Sequence, residues 1–144
     1  MSTGVLHETP TPENFLKTIG KLLTATTSTY INVPNALSFH RIIAEKMGLI
    51  ENVYQKSVRN TVLQQNINFD VKLLLDLIKK NLPNADVVEC KSFFFKPFTH
   101  DQMMQCIENK IIDEKIIEGL YDVSEEFPNN GCEIYCVFKQ KKEV

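Results

Sequence analysis

The sequence has few of the residues and patterns that mark several protein classes. It contains no Trp, only five Gly and only four Cys among 144 residues. It has no long apolar run of the kind that spans a membrane, and residues 1–14 lack the apolar stretch of a signal peptide. Four Cys without such a signal are typical of free thiols in a reducing compartment. We therefore expect an intracellular protein of the cytoplasm or nucleus, with no membrane partner.

Glycine is too sparse for the loops that hold nucleotide phosphates. Such loops place several glycines in one turn, whereas the glycines here are spread along the chain at positions 4, 20, 48, 119 and 131. The sequence also lacks the His-Glu-x-x-His and Gly-x-Ser-x-Gly motifs of common hydrolases and the paired Cys of zinc sites. On these grounds we predict no enzyme activity, no metal site and no small-molecule cofactor.

Charge is present in quantity but is unevenly distributed. Residues 15–64 contain six basic and two acidic side chains, whereas residues 99–134 contain two basic and nine acidic ones. A basic surface with exposed aromatic rings is typical of single-stranded nucleic-acid binding. The candidate residues for RNA or DNA binding are therefore the six basic ones of the first region: Lys17, Lys21, Arg41, Lys46, Lys56 and Arg59.

Hydrophobic periodicity predicts an α+β fold, with four or five helices packed on a small, largely antiparallel sheet. Helices are expected from Pro12, over about residues 37–47, after Asp70, after the Thr99–Gln102 capping box and from Asp113. Strands are expected over residues 30–33 and 132–139, with a weaker signal at residues 61–63. Residues 87–90 and 92–96 are predicted to form either two strands or one long strand. Since Asn130-Gly131 is a strong turn signal, residues 122–139 are predicted to close the fold as a C-terminal β-hairpin.

The domain prediction is a flexible N-terminal tail over residues 1–11 and a single α+β domain over residues 12–144. A division near residues 65–70 is an open alternative. In that case the C-terminal part, with its helices and hairpin, would resemble a winged helix. Its acidic character disfavours DNA contact through that face and favours protein binding.

An aromatic cluster supplies the main functional candidate. Phe93 and Phe95 point to one face of a strand and Phe94 to the other, so a sheet covered on one side only would leave rings exposed. We therefore predict a non-catalytic adaptor domain that docks on a protein partner within a larger complex, and the acidic region beside the cluster favours a basic partner. Nucleic-acid binding is the alternative function. The candidate docking residues are Phe93, Phe94, Phe95, Phe98 and Met103.

Overall fold

The computed structural model describes residues 2–56, 58–62 and 65–141, and of residues 2, 3, 58 and 59 only the backbone. These ranges contain six helices and four strands: β1 (Ser2–Thr3), α1 (Pro12–Gly20), β2 (Thr29–Pro34), α2 (Phe39–Lys46), α3 (Val58–Val62), α4 (Val71–Asn81), β3 (Ala85–Phe93), α5 (His100–Glu108), α6 (Glu114–Glu126) and β4 (Glu133–Gln140). The predicted α+β class is confirmed, with six described helices instead of four or five.

The four strands form one sheet in the order β1-β2-β4-β3. Strand β4 runs antiparallel to both of its neighbours, and Glu133 at its start lies opposite Pro34 of β2 and Phe93 of β3. Strands β2 and β3 therefore run in the same direction, and both end where β4 begins. Strand β1 adds a short parallel pairing to the outer edge of β2. The largely antiparallel sheet is thus confirmed.

The hydrophobic core lies between this sheet and helices α1 and α4. Alternate residues of β4 are fully buried because successive side chains of a strand point to opposite faces. Helix α4 contributes one face of its 3.6-residue repeat, and α1 contributes Leu16. The buried core cluster consists of Leu6, Leu16, Ile31, Val33, Phe69, Leu74, Ile78, Leu82, Ile134, Cys136 and Phe138.

Side-chain caps fix where three of the helices begin. The Asp70 carboxylate accepts from the Leu73 amide at 2.7 Å, and Asp113 accepts from the Ile116 amide at 2.9 Å. Thr99 and Gln102 form the predicted capping box at the start of α5. Each cap satisfies a backbone N–H that has no partner inside its helix. The start of each of these helices was therefore recognisable from the sequence.

The predicted C-terminal hairpin is wrong. Residues 125–127, expected as its first strand, form the end of α6 and the residue after it, and β4 pairs with β2 and β3 instead. The Asn130-Gly131 step links a helix to a strand. Gly131 is required there because an added Cβ would lie 2.4 Å from the backbone N and O of Phe93. Without a hairpin, the described residues also contain no wing for a winged helix.

The N-terminal segment differs from the flexible tail predicted over residues 1–11. Gly4 donates its amide hydrogen to the Asn32 carbonyl at 3.1 Å, which continues the pairing of β1 with β2. Leu6 is fully buried in the core cluster, and His7 is also buried. The segment is held because Leu6 fills part of the core beside β2. That residues 12–144 fold as one domain stays a prediction.

Two glycine substitutions test the packing at the start of β4. Gly131→Ala forces a methyl group against the Phe93 backbone, so we expect a loss of more than about 2 kcal/mol of unfolding free energy. In Gly119→Ala, the matched control, the methyl group meets nothing within 4 Å. Because Gly119 lies inside α6, that change should stabilise the protein by about 0.5–1 kcal/mol. Urea unfolding measures both; equal effects would contradict the close approach.

Candidate functional site

A cleft of about 570 Å³ opens at the end of the sheet where β2 and β3 finish and β4 begins. In open sheets, ligands bind in crevices outside the carboxyl ends of the parallel strands. The lining comes from segments that are distant in sequence: residues 34–36 after β2, the first turns of α2 and α5, the region of residues 60–68, and Cys132 and Glu133. The cleft is therefore the candidate functional site.

Asn35 fixes the floor of the cleft. Its side-chain amide donates to the carbonyls of Asn129 at 2.9 Å and Gly131 at 2.7 Å. Its side-chain oxygen accepts from the Leu37 amide at 3.0 Å. The side chain is 2% exposed, and its hydrogen-bonding capacity is spent on the backbone of its own chain. Asn35 therefore positions the site and has little capacity left for a ligand.

Arg41 holds the loop that follows α2. Its Nε donates to the Val53 carbonyl at 2.8 Å, and one Nη donates to the Gln55 carbonyl. Burial lowers the pKa of the guanidinium, but an Arg side chain stays charged at any ordinary pH. These two bonds use two of its five N–H groups. The rest of the guanidinium lies at the wall of the cleft.

His40 is a neutral imidazole at pH 7. Burial, with Lys96 and Arg41 nearby, lowers its pKa to about 4. Its Nδ1 is shielded from solvent and has no hydrogen-bond partner among the described residues. A buried polar atom without a partner is costly, so this ring nitrogen destabilises the fold around it.

Cys132 and Glu133 form the opposite wall at the start of β4. Burial raises the pKa of the Cys132 thiol to about 11, so the thiol is protonated and unreactive at pH 7. Burial also raises the pKa of Glu133, and the nearby Lys96 partly opposes this rise. Among the residues that the structure describes, neither Glu133 nor Lys96 forms an ion pair within 4 Å. Both charges remain available at the cleft.

Two features are absent from the described ranges. They contain no group of three or more His, Cys, Asp or Glu side chains placed to hold a metal ion. No helix in the described part of the chain has both the length and the apolar composition needed to cross a bilayer.

Three of the basic residues predicted to bind nucleic acid line two different cavities. Lys17 and Lys21 line a separate cavity of about 260 Å³ beside Gln140, whereas Arg41 lines the cleft beside Glu133. Those two cavities lie at opposite ends of β4, roughly 23 Å apart at about 3.3 Å per residue. Lys46 and Lys56 are exposed, and the side chain of Arg59 lies outside the described residues.

Of the five residues predicted to dock a partner, one is buried, three are partly buried and one is exposed. Each of the three consecutive rings contacts another ring. The distance between ring centroids is 5.8 Å from Phe93 to Tyr135, 4.7 Å from Phe94 to Tyr121 and 4.4 Å from Phe95 to Phe39. Met103 is 4% exposed, whereas Phe98 is 45% exposed. Phe94 adopts a positive φ of 58°, which ends the strand alternation assumed for these rings. The five residues do not form one exposed patch.

Sequence reasoning missed the residues that the cleft brings together. Arg41 was a candidate residue, but for nucleic-acid binding, and His40, Lys96, Cys132 and Glu133 were not among the candidates. The usable signal is Pro34-Asn35, because polar residues directly after a buried strand mark the end of the sheet where ligands bind. The remaining side chains arrive from distant segments and share no spacing.

Comparisons with known proteins place this fold among solved methyltransferase structures. No protein-family model matches the chain, and no curated protein matches its sequence. Phospholethanolamine N-methyltransferase 2 of Haemonchus contortus, solved with phosphomonomethylethanolamine and S-adenosylhomocysteine, matches with a TM-score of 0.51 and 9% identity. The match covers 98% of this chain and 33% of that one. The likeness is one of fold.

A second similar structure is loganic acid methyltransferase with SAH, at a TM-score of 0.43 and 17% identity. This match covers 91% of the present chain and 47% of the other chain. The chain therefore spans about a third of the length of the first methyltransferase and less than half of the second.

These comparisons correct the functional predictions. The solved structure that shares this fold over 98% of the chain is an enzyme bound to two small molecules. The prediction of a non-catalytic adaptor that docks on a protein partner is therefore wrong, as is the alternative of nucleic-acid binding. The same finding contradicts the prediction that the protein is not an enzyme. It also contradicts the prediction that its partners are proteins or nucleic acids and not small molecules. The prediction of no enzyme rested on missing motifs, which a fold comparison does not require.

The pH dependence of stability tests the environment of His40. Between the ordinary histidine pKa of 6.5 and the folded value of about 4, the unfolded chain binds more protons, so stability falls as the pH drops. In wild type, His40 should account for about 2 kcal/mol of this loss between pH 7 and pH 5. His40→Gln should remove that part of the slope. Urea unfolding over this pH range measures it.

The other histidines must be considered when the pH dependence of His40→Gln is compared with that of wild type. His7, whose pKa burial also lowers, continues to contribute to the slope in both proteins. The control for the substitution itself is His100→Gln, which replaces an exposed ring by the same side chain. Identical slopes for wild type and His40→Gln would contradict the buried neutral imidazole.

Proposed function

We propose that this chain forms the substrate-binding part of a small-molecule methyltransferase fold and holds a small polar substrate in the cleft. The observation that carries the proposal is the cleft itself, at the carboxyl ends of β2 and β3, with His40, Lys96 and Glu133 in its lining. Concave sites with a few convergent polar groups and shifted pKa values are typical of small-molecule binding. The fold shared with an N-methyltransferase supports it.

The residues of this chain do not fit an adenosyl cofactor by themselves. A nucleoside of that size is commonly held where glycines let the backbone approach closely. Of the glycines here, Gly4 follows the parallel strand β1, and no second glycine stands within the next fifteen positions. We therefore propose substrate binding, and not cofactor binding, for the described residues.

The thiols support an intracellular setting for this activity. The cysteines at positions 90, 106, 132 and 136 are all free, and such thiols persist in the reducing cytoplasm or nucleus. We propose one of these compartments as the place where the protein acts.

Filling the cleft tests the proposed function. We would titrate the isotopically labelled chain with five small molecules: 1-propanol, propionate, propylamine, β-alanine and phosphoethanolamine. At least one should shift the amide signals of Ala36, His40 and Glu133. Ala44→Phe places a ring into the lining of the cleft and should abolish these shifts.

Ala25→Phe is the matched control, because it adds the same ring at an exposed loop position away from the cleft. It should leave the shifts intact. If no compound in the set perturbs the cleft amides at millimolar concentration, or if Ala44→Phe leaves the shifts unchanged, the proposed function is wrong.

A further inference from the structure

The charged lining of the cleft has both signs in equal number. Arg41 and Lys96 carry positive charges, Asp101 and Glu133 carry negative ones, and His40 is neutral at pH 7. A ligand with two charges of one sign would therefore meet as much repulsion as attraction. The lining is complementary to a molecule that carries one charge of each sign.

The carboxylate on the negative wall is carried by a rigid strand and has no ion pair within 4 Å among the described residues. Glu133 is the first residue of β4 and is paired to Pro34 on one side and to Phe93 on the other, so two ladders fix its backbone. Its carboxylate is partly buried, and no ion pair to it is found among the described residues. A partly buried carboxylate is stabilised by an ammonium group that reaches it.

The positive wall is also fixed. The hydrogen bonds from Arg41 to the Val53 and Gln55 carbonyls hold the guanidinium in place and use two of its five N–H groups. Lys96 lies three residues beyond the end of β3 and is close enough to influence the pKa values of His40, Cys132 and Glu133. Both cations can therefore approach one acidic group in the cleft.

We propose that the cleft binds a small zwitterion, whose amino group contacts Glu133 and whose carboxylate or phosphate contacts Lys96 and Arg41. This inference rests on the proposed function and names the chemical class of the substrate. Both groups are bound by charge-assisted hydrogen bonds, which are the stronger class of hydrogen bond in proteins.

Probes of equal chain length separate the two charges. Propionate carries only the acid, propylamine only the amine, and β-alanine both on the same three-carbon chain. At pH 7 and low salt, β-alanine should bind at least about tenfold more tightly than either single-charge probe, because it makes both charge-assisted contacts. Phosphoethanolamine shows whether a phosphate serves better than a carboxylate. Calorimetry or the amide titration gives each dissociation constant.

Single-charge variants assign each wall to its group. Lys96→Met should weaken β-alanine and propionate by about tenfold and leave propylamine unchanged, whereas Glu133→Gln should weaken β-alanine and propylamine and spare propionate. The matched controls are Lys80→Met and Glu118→Gln, which remove exposed charges outside the cleft and should change nothing.

The outcomes distinguish this proposal from the proposed function. If propanol or one single-charge probe binds the cleft as tightly as β-alanine, the zwitterion proposal is overturned while substrate binding in the cleft stands. If no probe perturbs the cleft, both are wrong. Should Glu133→Gln fail to fold, the comparison of probes on the unchanged chain and on Lys96→Met still decides the question.

Discussion

The hydrogen bonds of one buried amide, that of Asn35, hold together the end of the molecule where the cleft lies. Its three bonds join the end of β2 to the turn before β4 and to the start of α2. Backbone hydrogen bonds join the same segments. The backbone N–H of Asn35 donates to the Cys132 carbonyl, and the backbone N–H of Phe39 donates to the Asn130 carbonyl. The side chain must offer both donors and an acceptor, because its partners are two backbone carbonyls and one backbone N–H group.

The turn over residues 128–131 is held from its other side by β3. The hydroxyl of Ser92 donates to the Pro128 carbonyl at 2.7 Å and accepts from the Gly131 amide at 2.8 Å. Two small buried polar side chains, Asn35 and Ser92, thus clamp the turn between the ends of two strands. This clamp aligns the start of β4 with both neighbours and fixes Cys132 and Glu133 at the cleft wall.

Local signals predicted the elements whose stabilisation is local. The caps at Asp70 and Thr99 and the alternation along β4 were readable because each depends on residues within a few positions. Longer-range contacts decided the rest. Residues 58–62 form α3 where a strand was expected over 61–63, and residue 63 itself lies outside the described residues. The Asn130-Gly131 step reflects the close approach of Phe93, a contact that spans 38 positions and has no local signature.

The candidate site escaped prediction for the same physical reason, and the charge pattern shows how. The opposite charges of the two regions of the chain suggested two separate surfaces, a basic one and an acidic one. In the folded protein the basic region contributes Arg41 to the cleft and the acidic region contributes Asp101 and Glu133, with Lys96 between them. Strand β4 brings these groups together by inserting between β2 and β3. Charges that are far apart along the sequence thus line one cleft, and only the strand order shows this.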